Sequence, residues 1–121
     1  MRPILIADDD ADIRSAVRLI LEDAGYHVDE TANTRETLHL LRTTPDSFVV
    51  LLDLIMPSDG ENILDRLAHD LTLFQRHTYI LFTASVQIPQ AALHLKLAVI
   101  SKPFDLDTLL TTIASVTAPP Q

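Results

Sequence analysis

The apolar residues of this chain follow two alternating rhythms. Ile4-Leu5-Ile6-Ala7, Phe48-Val49-Val50-Leu51-Leu52, Tyr79-Ile80-Leu81-Phe82 and Leu97-Ala98-Val99-Ile100 are continuous runs, mostly β-branched, aromatic or Leu. Such runs suit strands of a parallel sheet that is buried on both faces. Residues 26–31 instead mix Tyr26 and Val28 with His27, Asp29 and Glu30, as a less covered edge strand would.

Between the runs the apolar spacing changes to three and four. Ile13, Ala16, Val17, Ile20, Leu21 and Ala24 form one helical stripe, and Gly25 follows as a C′ residue. Asn33 with Glu36 resembles a capping box ahead of Leu38 and Leu41. Ile63, Leu64, Leu67, Ala68 and Leu71 form a third stripe, read as one helix. Pro89 opens a short helix through Ala92, Leu93 and Lys96. Asp105 caps a last helix carrying Leu106, Leu109, Leu110 and Ile113, with Phe104 and Leu109 placed to form a hydrophobic staple. Strand and helix therefore alternate five times, which predicts an α/β fold with a parallel sheet covered on both sides. No repeat or internal linker interrupts residues 1–117, expected to be one domain; residues 118–121, with Pro119-Pro120, read as a tail or the start of a linker.

Composition narrows the classes. With 121 residues, 47% of them hydrophobic, the chain can bury a single core. There are no cysteines, which excludes disulfides and thiolate metal sites. The apolar runs are too short to span a bilayer and no secretory leader is visible, so a cytoplasmic protein is expected. The formal net charge of −8 and scattered basic residues argue against sequence-independent nucleic-acid binding. The five histidines show no ligand spacing on any one helix and read as surface or internally satisfied groups.

In an open α/β sheet, ligands bind at the carboxyl ends of the strands. Asp8, Asp9 and Asp10 follow the first run, Asp53 ends the third, Thr83 the fourth, and Ser101-Lys102 the fifth. Singly, each has an ordinary explanation: a helix cap for Asp10, a solvated hydroxyl for Thr83, a surface charge for Lys102. Together they converge on one rim. Close carboxylates of Asp8, Asp9 and Asp53 would repel one another, and a hard divalent ion such as Mg²⁺ relieves that while neutralising a phosphoryl group in transfer. Asp53, central on the rim, is the best-placed nucleophile. Lys102 could pair with Asp53 and then with phosphoryl oxygens, to which the Thr83 hydroxyl could donate.

At these residues the chain resembles the receiver domain of two-component response regulators. Ile4 to Asp10 resembles the family's opening strand and acidic pair, and Leu51-Leu52-Asp53-Leu54-Ile55-Met56-Pro57, with Gly60 beyond, its phosphoacceptor strand and loop. Leu81-Phe82-Thr83-Ala84 and Ser101-Lys102-Pro103-Phe104 resemble the two remaining motifs. The resemblance implies a flavodoxin-like doubly wound (βα)5 fold with strand order 2-1-3-4-5. It implies a phosphorylation-dependent switch in a two-component or phosphorelay system, with Asp53 accepting phosphate from a phosphohistidine. Asp9 and Asp53 would bind Mg²⁺ directly, Asp8 through water, and the Ile55 backbone carbonyl would complete the shell. Thr83, Ala84 and Lys102 would contact the phosphoryl group, and Pro103 would follow a cis bond. The partners implied are a sensor histidine kinase or histidine phosphotransfer protein and a fused or separate output domain, with homodimerisation left open. No enzyme activity beyond self-phosphorylation and slow autodephosphorylation is implied.

The chain departs from the family in three places. Gly60 follows Asp53 one residue sooner than is usual, the stretch between Thr83 and Lys102 is shortened, and Val99 stands where an aromatic switch residue is usual. Two alternatives stay open. One is a receiver-like binding module that is never phosphorylated. The other is a small aspartyl-phosphate phosphatase, although the Asp8-Asp9-Asp10 stretch lacks the Thr or Val such enzymes carry after their Asp-x-Asp.

Overall fold

Five strands form one parallel sheet: β1 (Ile4–Ala7), β2 (Val28–Thr31), β3 (Val49–Leu52), β4 (Thr78–Thr83) and β5 (Ala98–Ser101). Their order is β2-β1-β3-β4-β5, the doubly wound order expected. The computed structural model describes residues 2–53, 63–83 and 97–117. The helices among them are α1 (Ala11–Asp23), α2 (Thr34–Thr43), α3 (Ile63–Ala68), α4 (Leu71–Arg76) and α5 (Leu106–Thr117). The short helix expected after Pro89 lies outside the described residues.

Alternation of side chains along each strand divides the core into two layers. Ile4, Ile6, Val49, Leu51, Ile80 and Phe82 meet Val17 and Leu21 of α1 and Leu109 and Ile113 of α5. Leu5, Ala7, Val50, Leu52 and Leu81 face the opposite way, onto Leu38 and Leu41 of α2, Leu64 and Leu67 of α3, and Leu73 of α4.

The helix ends follow local chemistry. The Asp10 side chain caps α1 by accepting from the Asp12 and Ile13 amides, and Gly25, at φ +96°, closes its far end. There the Tyr26 amide donates to the Leu21 carbonyl and the Gly25 amide to Glu22, a Schellman arrangement. Asn33 caps α2 through the Glu36 amide, while the Glu36 carboxylate reaches back to the Ala32 amide. Asp105 accepts from the Thr108 amide ahead of α5.

Two expectations need correction. The stripe from Ile63 to Leu71 is two helices, because Asp70 accepts from the Leu73 amide and starts α4. A short acidic side chain stabilises a helix start more than a helix interior, and Leu71, in the first turn, is left 58% exposed. The last strand is not buried on both faces: β5 is an edge strand in which Ile100 alone is buried, and Val99 is 40% exposed.

Candidate functional site

Parallel pairing brings the carboxyl ends of all the strands to one rim. Asp8 leaves β1 with its amide bonded to the Thr31 carbonyl, and Asp53 leaves β3 with its amide bonded to the Ala7 carbonyl. Asp8 and Asp53 are therefore placed by the sheet itself. Asp8, Asp9 and Asp53 each present a carboxylate oxygen, all within 4.8 Å of one another. The Asp8 and Asp53 side chains are only 1% and 8% exposed, whereas Asp9 faces solvent.

Lys102 supplies the opposing charge. Its Nζ lies 2.5 Å from Asp8 Oδ2 and 3.3 Å from Asp53 Oδ2. The expected Asp53 pairing is thus present, but the shorter contact is to the more deeply buried Asp8. The Lys102 ammonium also sits 4.9 Å from the centre of the Phe82 ring, which in turn packs on Phe104. The Lys102 amide donates to the Thr83 carbonyl, and the Lys102–Pro103 peptide is cis. Thr83 ends β4, buried on the same rim. Ile55, Gly60 and Ala84 lie outside the described residues.

The carboxylate set fits a hard divalent ion. Two buried anionic oxygens beside an exposed one, with a single ammonium between them, form an all-oxygen donor set of the kind Mg²⁺ takes while keeping waters. Every hydrogen-bonding group of Asp8 described is engaged: its Oδ1 accepts from the Asp10 amide and its carbonyl from Arg14 Nη1 at 2.6 Å. Arg14 was not singled out from the sequence. It is braced by Glu30 Oε1 at 3.0 Å, and Arg18 pairs with Glu30 Oε2 at 2.5 Å. The Arg18 guanidinium, with Arg14 beside it, holds the Glu30 carboxyl below its ordinary range. The signal was legible in principle: Arg14 and Arg18 stand four apart on α1, facing an acidic position of the edge strand.

His77 shows how a histidine is used away from this rim. It is buried at the start of β4, its Nδ1 accepting from the Phe48 amide and its Nε2 bonded to the Leu41 carbonyl. That satisfies both ring nitrogens, as expected for a structural histidine. Among the described residues no helix is long and apolar enough to cross a membrane.

The family model of the response regulator receiver domain matches residues 4–114. The response regulator receiver protein CpdR of Brucella abortus (strain 2308) is 33% identical over 114 residues, covering 93% of this chain and 94% of the relative. The chemotaxis response regulator CheY4 of Vibrio cholerae superposes with a TM-score of 0.80 at 26% identity, covering 96% of this chain and 98% of that one. The response regulator TrrA of Thermotoga maritima, solved in complex with Mg²⁺-BeF, does so at 0.80 and 25% identity, over 96% and 99% of the two chains.

Proposed function

This chain belongs to the response regulator receiver family of two-component signalling, and from that we propose that it is a switch thrown by phosphorylation of Asp53. The observation that carries the reading is the meeting of Asp8, Asp9 and Asp53 with Lys102 at one rim. In the proposed step an Asp53 carboxylate oxygen attacks the phosphorus of a phosphohistidine. The P–N bond breaks, and the imidazole nitrogen leaves with its electron pair. Asp9 and Asp53 would hold the cation directly and Asp8 through water, with the Ile55 carbonyl as a further ligand. Mg²⁺, when bound, neutralises charge on the transferring group. TrrA, solved with Mg²⁺-BeF, supports assigning the rim to a cation and a phosphoryl-like group.

Lys102 then serves the phosphoryl oxygens as a point charge, aided by the Thr83 hydroxyl and Ala84. Phosphorylation adds about −1.5 to −2 charge there, and Thr83 and Lys102 turn toward it, favouring a second arrangement of the adjoining segment. A swing from 1:99 to 99:1 takes roughly 5.5 kcal/mol, so weaker coupling through Val99 yields partial activation. On this reading the chain works in the cytoplasm, its donor is a sensor histidine kinase or histidine phosphotransfer protein, and its output passes to a fused or separate domain or a second copy. It catalyses nothing beyond its own phosphotransfer and slow autodephosphorylation.

The test is incubation with acetyl phosphate and Mg²⁺, followed by intact mass. One added phosphoryl group, lost in Asp53→Asn and without metal, is expected. No gain under conditions that modify a known receiver overturns the reading in favour of a binding-only module. Turnover of a generic phosphate ester would instead mark a phosphatase.

A further inference from the structure

We propose that Arg14 is a positioning residue that aims the Asp9 carboxylate at the divalent cation, by holding the carbonyl of the peptide that joins Asp8 to Asp9. The inference rests on the reading of this rim as a Mg²⁺ site. A peptide unit is planar, so fixing its oxygen fixes the plane from which the next residue departs. Asp8 is fixed on its other sides: its amide donates to Thr31, Oδ1 accepts from the Asp10 amide, and Oδ2 meets Lys102. Its carbonyl, the one group that orients Asp9, is held by Arg14 Nη1 at 2.6 Å.

Arg14 can hold that oxygen firmly because it is itself held. Its Nε lies 3.0 Å from Glu30 Oε1, the other Glu30 oxygen lies 2.5 Å from Arg18 Nη1, and Arg18 Nε lies 3.1 Å from Glu22. A guanidinium is a rigid plane, so two anchors on different nitrogens fix its orientation, which a lysine ammonium cannot reproduce. Glu30 is anchored within β2, which pairs with β1 with Glu30 opposite Ile6. The brace thus ties the outermost strand and α1 to the acidic loop.

Charge and position pull in opposite directions here, which makes the proposal testable. As a cation near a cation site, Arg14 repels Mg²⁺, so a role through charge alone predicts tighter binding when it is removed. A role confined to the fold predicts a lower melting temperature with unchanged Mg²⁺ affinity. A positioning role predicts weaker binding. Outer-shell partners of metal ligands are typically worth about 10- to 100-fold in affinity, and lost repulsion offsets part, so about tenfold is expected for Arg14→Met.

The experiment is calorimetric titration of MgCl₂ into the full chain, with no phosphoryl donor, for wild type, Arg14→Met and Arg14→Lys. The expected result is a Kd about tenfold higher in Arg14→Met and raised to a lesser degree in Arg14→Lys, which keeps the charge but reaches only one anchor. Unchanged or tighter binding in a folded Arg14→Met overturns the proposal. If Arg14→Met does not fold, Arg14→Lys decides, and an affinity equal to wild type overturns it. Wild type that binds no Mg²⁺ sinks the functional reading and this proposal together; wild type that binds while the variants match it sinks this proposal alone.

Discussion

Replacing Lys102 with Met removes the ammonium, which sits 4.9 Å from the centre of the Phe82 ring, and keeps most of the apolar stem. Without metal, Asp8 and Asp53 then face each other with no described ammonium between them, their nearest oxygens within 4.8 Å and their side chains 1% and 8% exposed. At an effective dielectric of about 20, two unit charges at that separation repel by about 3.5 kcal/mol. The attraction lost is nominally larger, but taking an ammonium out of water costs several kcal/mol and offsets much of it. Removing one member of a buried ion pair typically costs about 3–5 kcal/mol, in line with the repulsion alone. We therefore expect Lys102→Met to lose about 3 kcal/mol in EDTA, a drop of roughly 12 °C in melting temperature at about 4 °C per kcal/mol.

Mg²⁺ should narrow that gap. The cation competes with the Lys102 ammonium in wild type and meets no such rival in the variant. Because Mg²⁺ stabilises both proteins, the gap at saturation closes only by RT ln of the ratio of their Kd values, and a variant that binds about 100-fold tighter recovers about 2.7 kcal/mol. The assay is urea unfolding of both proteins across a Mg²⁺ series that starts in EDTA. A difference below about 1 kcal/mol in EDTA, or a difference that stays constant as Mg²⁺ rises, refutes the placement of Lys102 as the counter-charge of a metal site.

Two further predictions concern the scaffold. Burial, the largest cause, with the Arg76 and Arg2 charges, pushes the His77 imidazole below its ordinary value of 6.5 despite the Leu41 hydrogen bond. The unfolded chain therefore binds the proton first as pH falls: the stability linked to His77 is fully present above about 6.5, declines below it, and is gone once pH passes the folded value. Melting temperatures from pH 7.5 to 5 should fall in wild type, and His77→Gln should flatten that part of the profile; parallel profiles would contradict this. For Gly25→Ala, a new Cβ at φ +96° meets nothing within 4 Å, so the cost is backbone conformation alone, about 1 kcal/mol. Urea unfolding that shows no loss would mean that the turn relaxes at no cost.

The fold was readable because strand and helix signals differ in period, and their alternation leaves few topologies for a parallel sheet. What could not be read was which strand lies at an edge. Leu97 to Ile100 is as apolar as the central runs, yet burial of a strand depends on its neighbours, and β5 has β4 alone. The break between α3 and α4 was hidden for a related reason. Asp70 interrupts neither the spacing nor the hydrophobicity of the stripe, and its capping bond to Leu73 is a choice between two local structures of similar propensity.

The site was readable in its residue types because a parallel sheet carries every strand's carboxyl end to one rim, so four distant stretches of sequence could be placed together before any distance was known. Of its pairings, only that of Lys102 with Asp53 was expected. That Lys102 lies nearer Asp8 than Asp53, and that Arg14 holds the Asp8 carbonyl, depend on depth and rotamer, which spacing does not encode. These pairings nonetheless decide the charge that the rim presents. Glu30, shared with Arg18, offsets the Arg14 charge in part. Among the described residues, three carboxylates against the Lys102 ammonium then leave a formal −2. A monovalent ion leaves that rim anionic and repellent to a phosphoryl donor, whereas one divalent ion cancels it. On the proposed reading, a phosphoryl group on Asp53 would bring negative charge that competes with Asp8 for Lys102. The same ammonium that steadies the metal-free rim would then be the group most directly displaced by modification, and the hydrogen bond from the Lys102 backbone amide to the Thr83 carbonyl would tie that displacement to the end of β4.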